Sequence, residues 1–304
     1  MSISNIYLID IYIINLSKLL ILFILFNLYL INMRILKLLV FLFISINNSN
    51  CFINFFINKY NGFKGLKEIN ILNDIDNIKY CSQLSSNVYI DKANMTDNKY
   101  NTKVKIVEKN KNIYICFKGS SNLKDWKTNL DKSLITNLHN YDIYSIHKGY
   151  YTRYISISKK IHCYLKKKDY DELVVCGHSL GGALATICCF DLVINNIVNN
   201  KKISCITFGS PRIGDKNFSK IYNNNNIQTY RIVLSGDPVP KLPLDGNYIH
   251  LTSSYYLKNN KIYNKPNKIY VAYKRLLTNI CDVDYSLKNH TMEKYIETLN
   301  LIKN

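Results

Sequence analysis

The chain has 304 residues, enough for one large α/β domain with a short N-terminal segment. Its 40 Lys and Arg residues against 21 Asp and Glu give a formal net charge of +19, a balance that accompanies either nucleic-acid binding or contact with an anionic membrane surface. No zinc-ligand spacing, base-reading basic helix or RNA-binding aromatic motif goes with this charge. We therefore expect no nucleic-acid partner, and an anionic lipid interface stays open.

The N-terminal segment is the least globular part of the sequence. Residues 19–33 are almost wholly apolar but form a shorter run than the about 20 residues that a membrane span needs. Residues 38–46 form a short apolar core with a basic start and a polar exit, as in a secretory signal. We predict that residues 1–50 are a signal peptide of a secreted protein, with residues 51–304 as the folded domain. The alternative is a signal anchor that holds residues 11–46 in a membrane.

The first half of the domain begins with a predicted helix. Apolar residues recur at helical spacing over residues 69–90. Apolar and polar residues largely alternate over residues 103–108, and residues 112–117 are mostly apolar. A polar turn separates the two stretches, which predicts a β-hairpin. Residues 147–168 read as a long amphipathic helix ending in three lysines, and cations suit a helix C-terminus.

Strands continue to alternate with helices in the second half. Residues 203–208 and 227–234 are apolar strands that end in glycine-containing turns. We expect a lysine- and asparagine-rich loop over residues 258–268, a strand-like run over 269–277 and a closing helix over 289–302. This alternation predicts an α/β domain, with a mostly parallel central sheet and helices on both faces.

The most informative stretch is Gly-His-Ser-Leu-Gly at residues 177–181. The buried strand at residues 173–176 precedes it and a helical run follows it, which is the pattern of a nucleophile elbow. The turn is so tight that Gly177 and Gly181 must lack side chains, and the Ser179 hydroxyl is pushed out above the sheet edge. The N-terminal N–H groups of the following helix point at an oxyanion formed there.

A serine nucleophile needs an imidazole to take its proton and a carboxylate to hold that imidazole. On an elbow sheet the acid and then the histidine follow the serine along the chain. Only His250 and His290 follow Ser179. His290 precedes the last helix in a loop that suits a mobile imidazole, whereas His250 lies in the strand-like run 248–252 and reads as a structural residue.

For the acid, Asp237 ends a strand in a Gly-Asp-Pro-Val-Pro turn, which places a carboxylate at the C-terminal edge of the sheet. Asp215 also follows a strand and is the strongest competitor. Asp191 lies inside the helix after the elbow and should point elsewhere. The other competing carboxylates are Asp245, Asp282 and Asp284.

Six blocks of the sequence resemble the class 3 lipases, the fungal-type triacylglycerol lipase family of the α/β-hydrolase fold. The similarity covers roughly residues 75 to 302, and the blocks lie in the family's order. They are residues 117–120 with 125–126 behind them, 147–150, 177–182, 208–214, 236–240 and residue 290. The resemblance implies that Ser179 is the nucleophile, Asp237 the acid and His290 the base. It also implies an oxyanion hole formed by Ser120 and the backbone N–H of Leu180.

The resemblance further implies a lid after the oxyanion serine, over about residues 121–129. Leu123 and Trp126 would be its apolar contacts, but its other residues are more polar than a strong interfacial switch requires. We therefore expect weak interfacial activation. Lys118 stands where the family has an arginine, and this departure changes the hydrogen bonding before the oxyanion glycine.

The resemblance implies a monomeric serine ester hydrolase that cleaves acyl glycerol esters at a membrane or droplet interface. Its acyl-serine chemistry needs no metal ion and no organic cofactor. One alternative is a phospholipase A1, which the basic surface and the polar lid favour. The other is a catalytically inactive lipid-binding homologue, which should have lost a triad or oxyanion residue.

The nine cysteines fall into two groups. Cys116, Cys176 and Cys205 lie in strand-like runs, and residues 188–189 lie in the helix after the elbow, so all five are expected to be buried thiols. The remaining four allow three disulfide pairings, among which the sequence does not choose. They are Cys51, Cys81, Cys163 and Cys281.

Overall fold

The described part of the chain belongs to one compact unit, which comprises residues 64–268 and 283–304. The structure, a computed structural model, describes residues 67–68, 72–90, 93–120, 133–136, 144–198, 201–243, 247–264 and 287–302. Several predictions fall outside these ranges and stay predictions: the signal peptide or anchor, the lid residues Leu123 and Trp126, and the strand-like run 269–277. Within the ranges, no helix has both the length and the apolar character that a membrane crossing requires.

The strands and helices alternate as the sequence predicts. In chain order the strands are β1 (Lys67–Glu68), β2 (Met95–Asp97), β3 (Thr102–Lys109), β4 (Asn112–Phe117), β5 (Leu134–Thr136), β6 (Ser145–His147), β7 (Glu172–His178), β8 (Lys202–Phe208), β9 (Gln228–Leu234), β10 (Tyr255–Lys258) and β11 (Lys261–Asn264). The helices are α1 (Leu72–Asn87), α2 (Lys148–Leu165), α3 (Leu180–Ile194), α4 (Lys216–Asn223) and α5 (Met292–Asn300), with 3-10 turns at Val239–Lys241 and Leu287–His290.

A mostly parallel sheet forms the centre of the described unit. Its nine described strands lie in the order β1-β11-β10-β9-β8-β7-β4-β3-β2. The five central strands β4, β7, β8, β9 and β10 run parallel, and antiparallel pairs flank them on both sides. A separate antiparallel pair joins β5 to β6. Parallel strands end on the same side, so the loops after β4, β7, β8 and β9 meet at one edge of the sheet.

Helices cover both faces of the sheet, which confirms the predicted architecture. In β4, Ile113 and Ile115 pack on the face that α2, α3 and α4 cover, whereas Tyr114 and Cys116 pack on the face that α1 and α5 cover. Successive side chains of a strand point to opposite faces, so a strand buried on both sides must be apolar throughout. This explains why the central strands read as continuous apolar runs.

The predicted helices over 69–90, 147–168 and 289–302 are confirmed, with somewhat shorter bounds as α1, α2 and α5. The five cysteines expected to be buried thiols are buried and free. Cys81 is also a buried free thiol and Cys163 an exposed one, whereas the other two candidates for disulfides lie outside the described ranges.

Two predictions for the second half of the domain were wrong. The expected loop over 258–268 begins with a hairpin, because Asn259 and Asn260 adopt positive φ angles of 49° and 58° and turn β10 tightly into β11. The strand-like run over 248–252 makes one isolated bridge, between Ile249 and Gly214. The carbonyl of Leu251 already accepts bonds from side chains of α4, so it is not available for a strand ladder.

Candidate active site

The elbow lies between β7 and α3, at the edge where the parallel strands end. Ser179 adopts φ 59° and ψ −127°, a conformation that L-residues rarely hold. A Cβ on Gly177 would lie 2.4 Å from the backbone of Gly181, and one on Gly181 would lie 2.2 Å from the carbonyl oxygen of Phe117. Both distances are far below van der Waals contact, so only glycine fits on either side of the serine.

The Ser179 backbone is fixed on both sides. Its N–H donates to the carbonyl of Phe208 at 2.9 Å, and its carbonyl accepts the N–H of Gly182 at 3.0 Å. The residue is fully buried, yet its Oγ has no hydrogen-bond partner among the described residues. An unsatisfied buried hydroxyl is uncommon in a folded protein and marks a position kept open for chemistry or a ligand.

Asp237 and His290 form a buried pair at the same edge. Asp237 follows β9, and its Oδ2 lies 2.8 Å from His290 Nδ1; neither side chain is exposed. Oδ2 also accepts the hydroxyl of Tyr295 at 2.6 Å, and Oδ1 accepts the N–H of Val239 at 2.8 Å. The carboxylate is thereby held in one orientation and presents one oxygen to the imidazole.

Gly209, after β8, makes room for this pair. It has a φ of 61°, and a Cβ there would lie 2.7 Å from Asp237 Oδ2 and 2.8 Å from His290 Cε1. Any side chain at this position would displace the carboxylate or the imidazole. The loop after β8 therefore shapes the site without contributing a reactive group.

A second imidazole lies against His290. The rings of His178 and His290 have centroids 4.5 Å apart, and the Tyr89 hydroxyl lies 3.0 Å from His178 Nδ1. Burial, with a smaller contribution from His290, lowers the pKa of His178 well below its usual value of 6.5. His178, which directly precedes Ser179 in the chain, thus has an uncharged ring packed against His290.

The serine and the histidine each have one polar atom without a hydrogen-bond partner among the described residues. His290 Nε2, like Ser179 Oγ, is buried without a hydrogen-bond partner in the described part of the chain, so no hydrogen bond joins the two atoms in this structure. Catalytic hydrogen bonds are often long without substrate and tighten when it binds. His290 packs on His178, the residue next to Ser179, so both side chains lie at the same edge of the sheet.

The loop after β4 supplies the other predicted group. Ser120 is half-buried at the end of this strand, and the N–H of Leu180 begins α3, where helix N–H groups have no carbonyl one turn earlier. Lys118 reaches back across the loop, and its Nζ donates to the carbonyl of Tyr89 at 3.2 Å. Burial lowers the pKa of this lysine, with a smaller effect from Lys103.

The competing residues have structural partners instead. Asp215 caps α4, since its Oδ1 accepts the N–H of Phe218 at 2.8 Å. His250 Nε2 lies 2.6 Å from the carbonyl of Pro240, and Asp191 binds side chains of α2. The remaining three aspartates that compete for the acid position lie outside the described residues.

Sequence reasoning missed three residues around the Asp237–His290 pair. Tyr295 contacts Asp237, His178 packs on His290, and Tyr89 contacts His178. The order of serine, acid and histidine that selects His290 also discards His178, because it precedes the serine. Tyr89 and Tyr295 lie in or near helices, with no motif around them. In the described ranges no three His, Cys, Asp or Glu side chains are grouped to hold a metal ion.

Comparison with known proteins finds similarity to lipases. The family model "Lipase (class 3)" matches residues 114–247. A lipase of Rhizomucor miehei is 29% identical over 56% of this chain and 47% of its own length. A secreted mono- and diacylglycerol lipase of Fusarium solani is 28% identical over 48% of this chain and 44% of its own. A phospholipase A1-II of rice is 28% identical over 44% of this chain and 40% of its own.

The chain thus spans less than half the length of these curated relatives. Among solved structures, the Rhizomucor miehei lipase propeptide complex has a TM-score of 0.59 and 23% identity, covering 67% of this chain and 75% of that one. This likeness confirms the predicted α/β-hydrolase fold. Together, the family match over residues 114–247, the relatives and the shared fold show that the chain is similar to the class 3, fungal-type lipases.

Proposed function

We propose that the chain is a serine ester hydrolase that cleaves acyl glycerol esters through an acyl-serine intermediate. Ser179 is the nucleophile, His290 the base and Asp237 the acid. The observation that carries the proposal is the buried 2.8 Å contact of His290 with Asp237, next to an elbow serine whose hydroxyl has no other partner in the described chain.

In the first half-reaction, Ser179 Oγ attacks the ester carbonyl while His290 Nε2 takes the hydroxyl proton. Asp237 keeps a proton on His290 Nδ1, so the lone pair of Nε2 faces the serine. The Asp237 carboxylate also stabilises the imidazolium that forms. The glycerol oxygen leaves with the proton from Nε2. In the second half-reaction, water loses a proton to Nε2 and attacks the acyl-serine, and the carboxylic acid departs as Ser179 regains its proton.

The oxyanion of each tetrahedral intermediate would be held by the N–H of Leu180 and the hydroxyl of Ser120. One such donor typically contributes a factor of about 100 to 1,000 in kcat. The unpaired N–H groups at the start of α3 add a favourable field, because a helix N-terminus carries partial positive charge. Loss of the Ser120 hydroxyl should therefore slow acyl transfer while substrate binding changes little.

Acyl glycerols are the proposed substrates because two relatives are named as a lipase and as a mono- and diacylglycerol lipase. Phospholipase A1 activity is the second candidate, supported by the rice relative and by a net charge of +19 that suits anionic headgroups. We propose a secreted monomer that works at a lipid interface, on the basis of the signal-like N-terminus. An inactive lipid-binding protein is disfavoured because each triad and oxyanion residue type is present.

The test is covalent labelling of the full chain with a fluorophosphonate probe. We expect wild type to be labelled and Ser179→Ala to lose the label, with kcat on p-nitrophenyl esters falling about 10⁶-fold. Ser156→Ala is the matched control, because that serine donates to the carbonyl of Arg153 within α2 and is not part of the candidate active site, so the variant should keep the label. Labelling that survives in Ser179→Ala would refute the assignment. Turnover of triacylglycerol against phosphatidylcholine separates the two substrate classes.

A further inference from the structure

A small cavity lies behind the turn after β8, and neither Ser179 nor His290 is among the residues that line it. It has a volume of about 10 Å³ and is bounded by α3, β8, β9 and the loop before β10. This is room for one group of about the size of a water molecule. The described residues that line it include Thr207, Thr229, Arg231 and His250, and none of them is a carboxylate.

The guanidinium of Arg231 is the charged group of this cavity. Its Nε is buried without a hydrogen-bond partner among the described residues. Its Nη1 lies 3.3 Å from His250 Nε2, but this ring nitrogen is only 2.6 Å from the carbonyl oxygen of Pro240. A nitrogen that donates to a carbonyl cannot also accept from a guanidinium, so Nη1 faces another donor.

The guanidinium also keeps its charge. Burial, with a smaller effect from Arg212, lowers the pKa of Arg231 to about 10, so the group stays protonated at neutral pH. His250 offers no compensating charge, because burial and the two arginines lower its pKa well below 6.5 and keep it neutral. Arg231 as a whole is half-buried, but its Nε is removed from solvent and the described residues offer it no anionic partner. A cation held partly out of water without an anion is less favourable than a neutral polar group in the same place.

Thr207 contributes a second unsatisfied donor to the same cavity. It is only 1% exposed, and its Oγ1 has no partner in the described chain. Thr207 on β8 is the register partner of Arg231 on β9, so the two side chains lie next to each other on one face of the sheet. By contrast, the hydroxyl of Thr229 on the same wall lies 2.9 Å from the Tyr222 hydroxyl and is satisfied.

We propose that this cavity binds one monovalent halide ion, chloride under ordinary conditions, between the Arg231 guanidinium and the Thr207 hydroxyl. A water molecule would accept the same hydrogen bonds but would leave the charge of Arg231 uncompensated. Chloride has a radius only a few tenths of an ångström larger than water and accepts from N–H and O–H donors in any direction. Phosphate and sulfate are too large for a space of this size.

The test measures the melting temperature of the full chain in sodium chloride and in sodium gluconate at equal ionic strength. We expect chloride to raise the melting temperature with saturation, by about 3 °C at ten times its dissociation constant. Thr207→Val and Arg231→Met should lose this difference. Thr229→Val is the matched control and should keep it, because its hydroxyl is already bonded to Tyr222.

A second readout is the anomalous scattering of crystals grown with bromide. A peak between Thr207 and Arg231 supports the site, and density for water alone in saturating bromide overturns it. Equal melting in both salts, or a chloride effect that survives in Thr207→Val, also overturns it; this variant decides the matter if Arg231→Met does not fold. If the protein binds halide but hydrolyses no ester, the anion site stands and the proposed function fails.

Discussion

At the scale of single residues, Asp237 accepts three hydrogen bonds, which together restrain both oxygens of its carboxylate. The N–H of Val239 binds Oδ1, whereas His290 and the Tyr295 hydroxyl share Oδ2. Tyr295 is fully buried and also accepts the N–H of Leu234 at 3.1 Å. Tyr295 therefore acts as a positioning residue, which holds the acid so that its Oδ2 faces the imidazole.

We expect Tyr295→Phe to lower kcat/KM for ester hydrolysis about tenfold, because one charge-assisted hydrogen bond to the acid is lost while the acid itself remains. The measurement is steady-state kinetics, with unfolding in urea followed in parallel. Tyr154→Phe is the matched control: its hydroxyl also donates to a buried aspartate, Asp191, but on the far side of α3 from the elbow serine. Equal losses of activity in the two variants would mean that Tyr295 only stabilises the fold.

The sequence is informative where a tight turn restricts the residue type, and less so where contacts depend on tertiary packing. Gly177 and Gly181 can be predicted because the elbow leaves no space for a Cβ. Asp237 and His290 can be chosen from their order along the chain. Tyr295 cannot, because its contact with Asp237 depends on how α5 packs on the sheet, and no local pattern encodes that packing.

At the scale of secondary-structure elements, Asp191 connects the two long helices on one face of the sheet. It lies in α3, and its Oδ2 is 2.5 Å from both the Tyr154 hydroxyl and His162 Nε2 of α2. Its Oδ1 accepts the side-chain amide of Asn195 at 2.8 Å, just beyond the end of α3. Since α3 carries the elbow serine at its start, this cluster also helps to fix the direction of the helix that faces the site.

We expect Asp191→Ala to lower the free energy of unfolding by about 2–3 kcal/mol, since the buried Tyr154 hydroxyl loses its acceptor and a small cavity remains. Urea unfolding monitored by circular dichroism measures the change. Asp169→Ala is the control, because that carboxylate is fully exposed in its pair with Lys201, and we expect no measurable change. A loss below 1 kcal/mol for Asp191→Ala would contradict the structural role of the cluster.

Two hairpins show why some elements can be predicted and others cannot. The β3–β4 hairpin is visible because apolar strands flank its turn at Asn110 and Lys111. The β10–β11 hairpin has the same kind of turn, at Asn259 and Asn260, but its strands are short and rich in tyrosine and lysine. Pairing with β9 on one side and β1 on the other, together with the burial of Leu257 and Ile262, stabilises it, so composition alone predicts a loop.

At the scale of the whole molecule, two histidines with lowered pKa values make the stability of the fold depend on pH. Burial is the main reason that the pKa values of His178 and His250 lie well below 6.5 in the folded chain. In the unfolded chain both imidazoles titrate near pH 6.5. Carboxylates with lowered pKa values, such as Asp97 and Glu108, take up protons only below about pH 4.5 and do not contribute in this range.

The direction of the effect follows from proton uptake. At pH 7.5 both histidines are neutral in the folded and unfolded chains, so neither makes stability depend on pH. Below pH 6.5 the unfolded chain takes up as many as two protons that the folded chain excludes, which shifts the equilibrium towards unfolding. The free energy of unfolding should fall from pH 6.5 to 5 with a limiting slope of about 2.7 kcal/mol per pH unit, twice the about 1.4 expected for one proton.

Urea unfolding between pH 5 and 7.5 measures this slope. His178→Gln should reduce the limiting slope to about 1.4 kcal/mol per pH unit, since only His250 then excludes a proton. His250→Gln should do the same, and the double variant should leave stability nearly flat above pH 5. The comparison rests on slopes, so a loss of overall stability in a variant does not obscure it. A wild-type stability that stays constant or rises as the pH falls from 6.5 to 5 would show that the folded chain protonates these imidazoles, which their burial should prevent.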